Sequence, residues 1–230
     1  MSPRVFIAAV PLALLAACAG LTETRQHMVQ APAVGGLAEE TFGQAGWGRR
    51  GEFQLYHQRV RYGRDAEQLS LFEPLGAGGG TRTPLRYTWS SPAGDSVAGC
   101  AGWSSDATAN SKLAAEKPWV LSCRWSGASD ATLQIGEGQM RRGKLTREGA
   151  YQRGELTVGL RSVHLLEGDV QPQAAGVGYE FMYQGQVVGS LDLAGGAPRL
   201  RRPDPATPLG RAVTEAALAL ALVSDPITTR

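Results

Sequence analysis

Histidine, lysine and cysteine each occur only three times in 230 residues, and neither sign of charge dominates. Lys+Arg 23 against Asp+Glu 21 leaves a formal charge of +2, without the basic excess that a nucleic-acid surface needs. Three cysteines are too few for a disulfide scaffold or a four-cysteine zinc site. No two histidines are close in sequence, and H-E-x-x-H, G-x-S-x-G and S-x-x-K are all absent. The chain therefore offers no metal set, no cofactor motif and no familiar nucleophile. Nor does any run reach the 18 apolar residues of a membrane helix. What it does have is 43% hydrophobic and 19% charged residues, enough apolar material for one large packed domain or two small ones.

The amino terminus reads MSPRVFIAAVPLALLAACAG, with Arg4 before an apolar run from Val5 to Ala17. That run is too short to span a bilayer but suits the hydrophobic region of a secretory signal. It ends in Leu15-Ala16-Ala17-Cys18, which resembles the lipobox of bacterial lipoproteins. The resemblance implies cleavage after Ala17, a diacylglycerol on Cys18, and a membrane partner reached through that lipid. Ala19 stands where an aspartate would signal retention, so the resemblance implies an outer-membrane anchor facing the periplasm. An ordinary signal peptide followed by a chance cysteine is the other reading. Beyond the anchoring Cys18, Cys100 and Cys123 remain as an even pair in an oxidising compartment. A disulfide is expected there, and two separately buried thiols are the alternative.

Residues 18–45 are small and polar, with Pro32 and Gly35-Gly36, and are expected to be a flexible tether. A single β-rich domain is expected over 46–230. Phe53, Leu55 and His57 alternate with polar neighbours before the parity shifts at Val60 and Tyr62, as a bulge would cause. Further alternation surrounds Leu85–Trp89, Trp119–Trp125, Leu133–Ile135 and Leu156–Leu165. Tyr179–Leu193 reads as a hairpin turning at Gln184-Gly185, with Phe181 opposite Val188. About eight to eleven strands follow, in an antiparallel barrel or sandwich. The end differs. Thr207-Pro208 is a helix start, and eleven of the fifteen residues from Leu209 to Val223 are apolar. A buried hydrophobic helix over about 208–223 is expected, with sheet wrapped around it.

A β-rich domain ending in GYEF and GQVVGSLDL and then an Ala/Leu-rich helix is similar to the tubby, scramblase and LURP-one superfamily. The resemblance lies in residues 150–226. It implies a twelve-stranded barrel around a C-terminal apolar helix, but carries over no phosphoinositide-binding residue.

Among candidate site residues, His57 and His164 are the only histidines within the expected domain, and so the only bases for a hydrolase. Ser96 sits in Gly94-Asp95-Ser96, read as a turn. The Gly76–Gly80 loop lacks the Gly-Lys-Ser/Thr ending of a phosphate loop. Trp89, Trp103, Trp119 and Trp125 bracket the cysteine pair; they form either an aromatic face for glycan or peptide, or the packing around a disulfide. Arg141-Arg142 with Lys144, and Arg199, Arg201 and Arg202, could meet anionic lipid. These residues point to a non-catalytic envelope lipoprotein serving as an interaction or scaffolding module, with an envelope protein, glycan or lipid as partner. A small-ligand or lipid-binding periplasmic module is the second reading, and an uncharacterised hydrolase the third.

Overall fold

The structure, a computed structural model, describes residues 26–43, 49–64, 80–91, 93–105, 119–126, 130–136 and 138–223. The signal segment, Cys18 and Gly76–Gly79 lie outside them. Alternation becomes strand almost throughout. The strands are β1 Glu39–Thr41, β2 Arg50–Leu55, β3 Gln58–Gly63, β4 Gly80–Ser91, β5 Gly94–Ser105, β6 Trp119–Ser126 and β7 Ala131–Ile135. There follow β8 Gln139–Arg141, β9 Lys144–Thr146, β10 Glu148–Arg153, β11 Leu156–Val163, β12 Gly178–Tyr183, β13 Gln186–Asp192 and β14 Arg199–Arg201. All pairings are antiparallel. Twelve strands form one nearly closed, barrel-like sheet in the order β1-β14-β13-β12-β11-β10-β7-β6-β5-β4-β3-β2, and β8–β9 is a separate hairpin.

The one α-helix among the described residues, α1 Pro208–Leu222, packs against the strands, as the apolar run requires. The Thr207 hydroxyl caps it, accepting from the Gly210 N–H at 3.0 Å, and Pro208 occupies a position where no intrahelical donor is needed. Ala212, Ala216, Ala217 and Ala219 are buried, and their short side chains let the strands come close around the axis. Leu218 and Leu222 are fully buried; each such side chain removed from water stabilises the fold by roughly 2–3 kcal/mol.

Two local expectations change. The parity shift after Leu55 is not a bulge but a two-residue hairpin turn, with Leu55 paired to Gln58 and Tyr56-His57 between them. The turn at Gln184-Gly185 forms as expected, with Tyr183 opposite Gln186. A bulge between Phe181 and Met182 then shifts the register, so Phe181 meets Gly189 instead of Val188. The sheet also exceeds eleven strands, because three-residue strands such as β1 and β14 are too short to leave a periodic signal.

The largest correction concerns residues 26–43, which are part of the domain and not a tether. Met28, Val34 and Phe42 are buried, and β1 closes one side of the sheet against β14. Met28 bridges Leu166, and its N–H donates to the Asp192 carboxylate at 3.1 Å. Gly178 makes room for it: a Cβ there would stand 2.4 Å from the Met28 sulfur and 2.3 Å from the Leu191 carbonyl oxygen. Phe42 meets Phe53 across the seam between β1 and β2, with ring centroids 5.8 Å apart. Polar composition hid this segment because three well-spaced apolar residues suffice to anchor it.

The antiparallel order gives the barrel two unlike ends. The turns at 56–57, 154–155 and 184–185 gather at one, where α1 also begins. The other end holds the last turn of α1, whose Leu222 carbonyl accepts from Arg64 Nε at 2.7 Å, and the entering segment around Met28.

Candidate functional site

Polar chemistry concentrates at the turn end. Glu215 lies one turn into the apolar part of α1 and has no exposed surface, so its carboxylate needs partners from every side. It receives them. Arg153 Nη2 donates to both oxygens at 2.8 and 2.7 Å, Arg211 Nε to one at 3.1 Å, and Ser96 Oγ at 2.8 Å. The Tyr151 hydroxyl donates to the other oxygen and itself accepts from Arg153 Nε at 3.0 Å. Tyr87 OH donates to the Glu215 backbone carbonyl at 2.6 Å, and Trp125 Nε1 donates to Tyr87 OH at 3.0 Å.

Helical spacing places Arg211 over Glu215, and strands β5 and β10 bring Ser96, Tyr151 and Arg153 from inward-facing positions. Burial first, and then the Glu215 charge, pushes the phenols of Tyr87 and Tyr151 well above the ordinary tyrosine range. Both stay protonated, Tyr151 donating to the carboxylate and Tyr87 to the backbone carbonyl of Glu215. Each carboxylate oxygen is taken up by donors from helix and sheet, so the network pins the two together.

A second carboxylate, Asp192, sits at the opposite end. It accepts from the N–H groups of Met28 and Ala194 and is paired with Arg199. Arg201 and Arg202 pair with Glu39 and Glu40 at 3.0 and 2.8 Å. The basic cluster at 199–202 thus clamps the entering segment. Arg141, Arg142 and Lys144 form the β8–β9 tip, a solvated turn.

The other candidate residues fall apart in space. His57 occupies the exposed β2–β3 turn. His164 is buried just beyond β11, its Nδ1 3.1 Å from the Gln173 carbonyl and its Nε2 2.8 Å from Ser162 Oγ. The carbonyl requires the proton on Nδ1, so Nε2 accepts from the serine. Burial lowers the His164 pKa below the usual imidazole value. Nucleophile, base and orienting carbonyl are in order, but Ser162 also accepts from the Arg147 N–H at 2.9 Å. The loop at Gly176 approaches one side of it, a Cβ there standing 3.2 Å from the Ser162 Cβ, and Ser162 stays partly exposed. Ser96, expected in a turn, is an inward strand residue committed to Glu215.

Cys100 and Cys123 are opposite one another on β5 and β6 and form a disulfide. The aromatic face does not form from Trp89 and Trp125, which are 0% and 2% exposed; inward alternation puts both in the core. Trp125 packs edge-on against Tyr151 at 5.2 Å. Trp103 and Trp119 have side chains outside the described residues. Between sheet and helix, Ala216–Val223 pack into the core.

One open cleft, about 420 Å³, lies at the turn end, lined by Gln54, His57, Gln58, Arg59 and Ser90. It joins the buried network through Trp89, whose Nε1 donates to Gln58 Oε1 at 2.8 Å and whose ring lies under Arg211 at 5.9 Å. Two residues central to this end escaped sequence reasoning. Glu215 had a signal, as the lone carboxylate beside eight unbroken apolar residues; Gln58 had none. No known protein family, curated protein or solved structure matches the chain.

Proposed function

We propose that this chain is a non-catalytic lipoprotein of the bacterial outer membrane, anchored through Cys18 on the periplasmic side and presenting one β-domain as an interaction module. The observation that carries the reading is the order Leu15-Ala16-Ala17-Cys18 at the end of the apolar run. The two ends of the barrel lend it support. Chain enters at the Met28 end, so the turn end, with its open cleft, would face away from the bilayer. Eight peptide steps separate Cys18 from Gln26, a reach of at most about 30 Å even when fully extended. The domain is accordingly held near the membrane.

The twelve-stranded sheet and enclosed apolar helix are what kinship with the tubby, scramblase and LURP-one superfamily implies, and we read the chain as a distant relative. A Ser162 hydroxyl already accepting from the Arg147 N–H and the fully committed Glu215 network favour a domain without catalysis. Near-neutral charge makes attachment depend on the lipid and not on salt. Cell fractionation tests this. The protein should remain with membranes in high salt, and Cys18→Ala should move it to the soluble fraction; a membrane-bound Cys18→Ala protein would refute the anchor.

A further inference from the structure

We infer that the cleft beside the β2–β3 turn binds an oligosaccharide. The inference rests on the domain being an interaction module and names what it takes. At about 420 Å³ the cleft lies within the range of sites that hold small ligands, roughly 300–1,000 Å³. Its lining follows from register. Gln54 is opposite Arg59, and Val60 is opposite Trp89, so Gln54, Arg59 and Ser90 stand side by side on the outer face. His57 and Gln58 close the row at the turn.

Every lining side chain is a hydrogen-bonding group, and none is a carboxylate. Among the described residues, the side chains of Gln54, His57 and Ser90 bond to nothing in the protein, while Gln58 gives only its carbonyl to Trp89. The Gln58 amide N–H groups are left for a ligand. Amides and hydroxyls that both donate and accept match sugar hydroxyls, which do the same. Arg59 is paired to Glu52, with Nε 3.1 Å from Oε1, but Glu52 also pairs with Arg61 at 3.1 Å, so the charge is only partly offset and phosphate is the competing ligand the test must separate. Tyr56, 57% exposed, adds an aromatic surface beside His57, their rings 5.8 Å apart.

The turn is built for the side chain it carries. Arg142-Gly143 and Gln184-Gly185 are also two-residue turns with both φ positive, and each has glycine second. At β2–β3 the second residue is His57, with φ 60°, where glycine would be unstrained. An imidazole is kept at the cleft at the expense of backbone comfort.

Titration of the full chain in detergent with an N-acetylhexosamine tetrasaccharide, followed by calorimetry, tests the site. Saturable binding is expected, weakened about tenfold or more by Gln54→Ala or Ser90→Ala, each of which removes a ligand hydrogen bond. His57→Gly should weaken binding similarly while melting no lower than the parent. Failure to bind the tetrasaccharide, binding of inorganic phosphate alone, binding indifferent to all three substitutions, or a His57→Gly protein that melts several degrees lower would each overturn the inference. Membrane fractionation of the same preparations reads the anchor separately, so loss of the site and loss of the anchor are distinguishable.

Discussion

Replacing Glu215 by glutamine should cost more stability than any surface substitution, and the structure fixes how much. The carboxylate has no exposed surface and takes five hydrogen bonds from Ser96, Tyr151, Arg153 and Arg211. Glutamine keeps the shape but puts an amide donor against guanidinium and hydroxyl donors, and leaves two arginines without their counter-charge. Breaking a buried pair from one side costs about 3–5 kcal/mol. The Arg153 and Arg211 side chains are 17% and 16% exposed, so water reaches part of each and the lower half of that range applies. For a domain of this size, about 3 kcal/mol lowers the melting temperature by roughly 6–12 °C. Urea unfolding followed by tryptophan fluorescence is the assay, because Trp125 packs on Tyr151 inside the network. The triple replacement Arg153→Met, Arg211→Leu and Glu215→Leu should recover most of the loss, since no unpaired charge remains. A Glu215→Gln protein within about 1 kcal/mol of the parent would refute the pin between helix and sheet, because that is the scale of an ordinary single hydrogen bond.

Met28→Ala should lose about 2–4 kcal/mol in the same assay, as for a core methionine, whereas a residue in a free tether would cost next to nothing. Reducing the Cys100–Cys123 bond, which closes a separation of 23 residues, should cost about 3 kcal/mol on the chain-entropy model; unchanged unfolding in reductant would contradict it. His164 gives a pH signature. Its folded pKa is depressed by burial, so the unfolded chain takes the proton first as pH falls through about 6.5. Its contribution is present above that value and is lost down to the lower folded pKa. His164→Asn should flatten this part of the pH–stability curve, and an unaltered slope would assign the effect elsewhere.

Architecture was legible wherever periodicity ran long enough to average out local noise. The apolar stretch after Pro208 announced an enclosed helix, and inward alternation at Leu121, Cys123 and Trp125 placed the disulfide in the core. The parity change at His57 was visible too, but a bulge and a two-residue turn shift parity alike, and only cross-strand pairing separates them. Residues 26–43 misled because composition reports the average, while burial here depends on Met28, Val34 and Phe42 alone. The cleft was illegible for a different reason. Gln54, Gln58 and Ser90 come together through register across three strands, and no spacing along the chain records that. The Trp cluster left two readings, an aromatic face or packing around the disulfide, and the structure puts Trp89 and Trp125 inside.

The anchor is the claim on which the envelope reading stands, and mass spectrometry of the amino-terminal tryptic peptide tests it most directly. The account predicts a peptide from Cys18 to Arg25 whose mass exceeds the bare sequence by a thioether-linked diacylglycerol. A peptide beginning at Ala19 or Gly20, or Cys18 at the amino terminus with a free thiol, would contradict it.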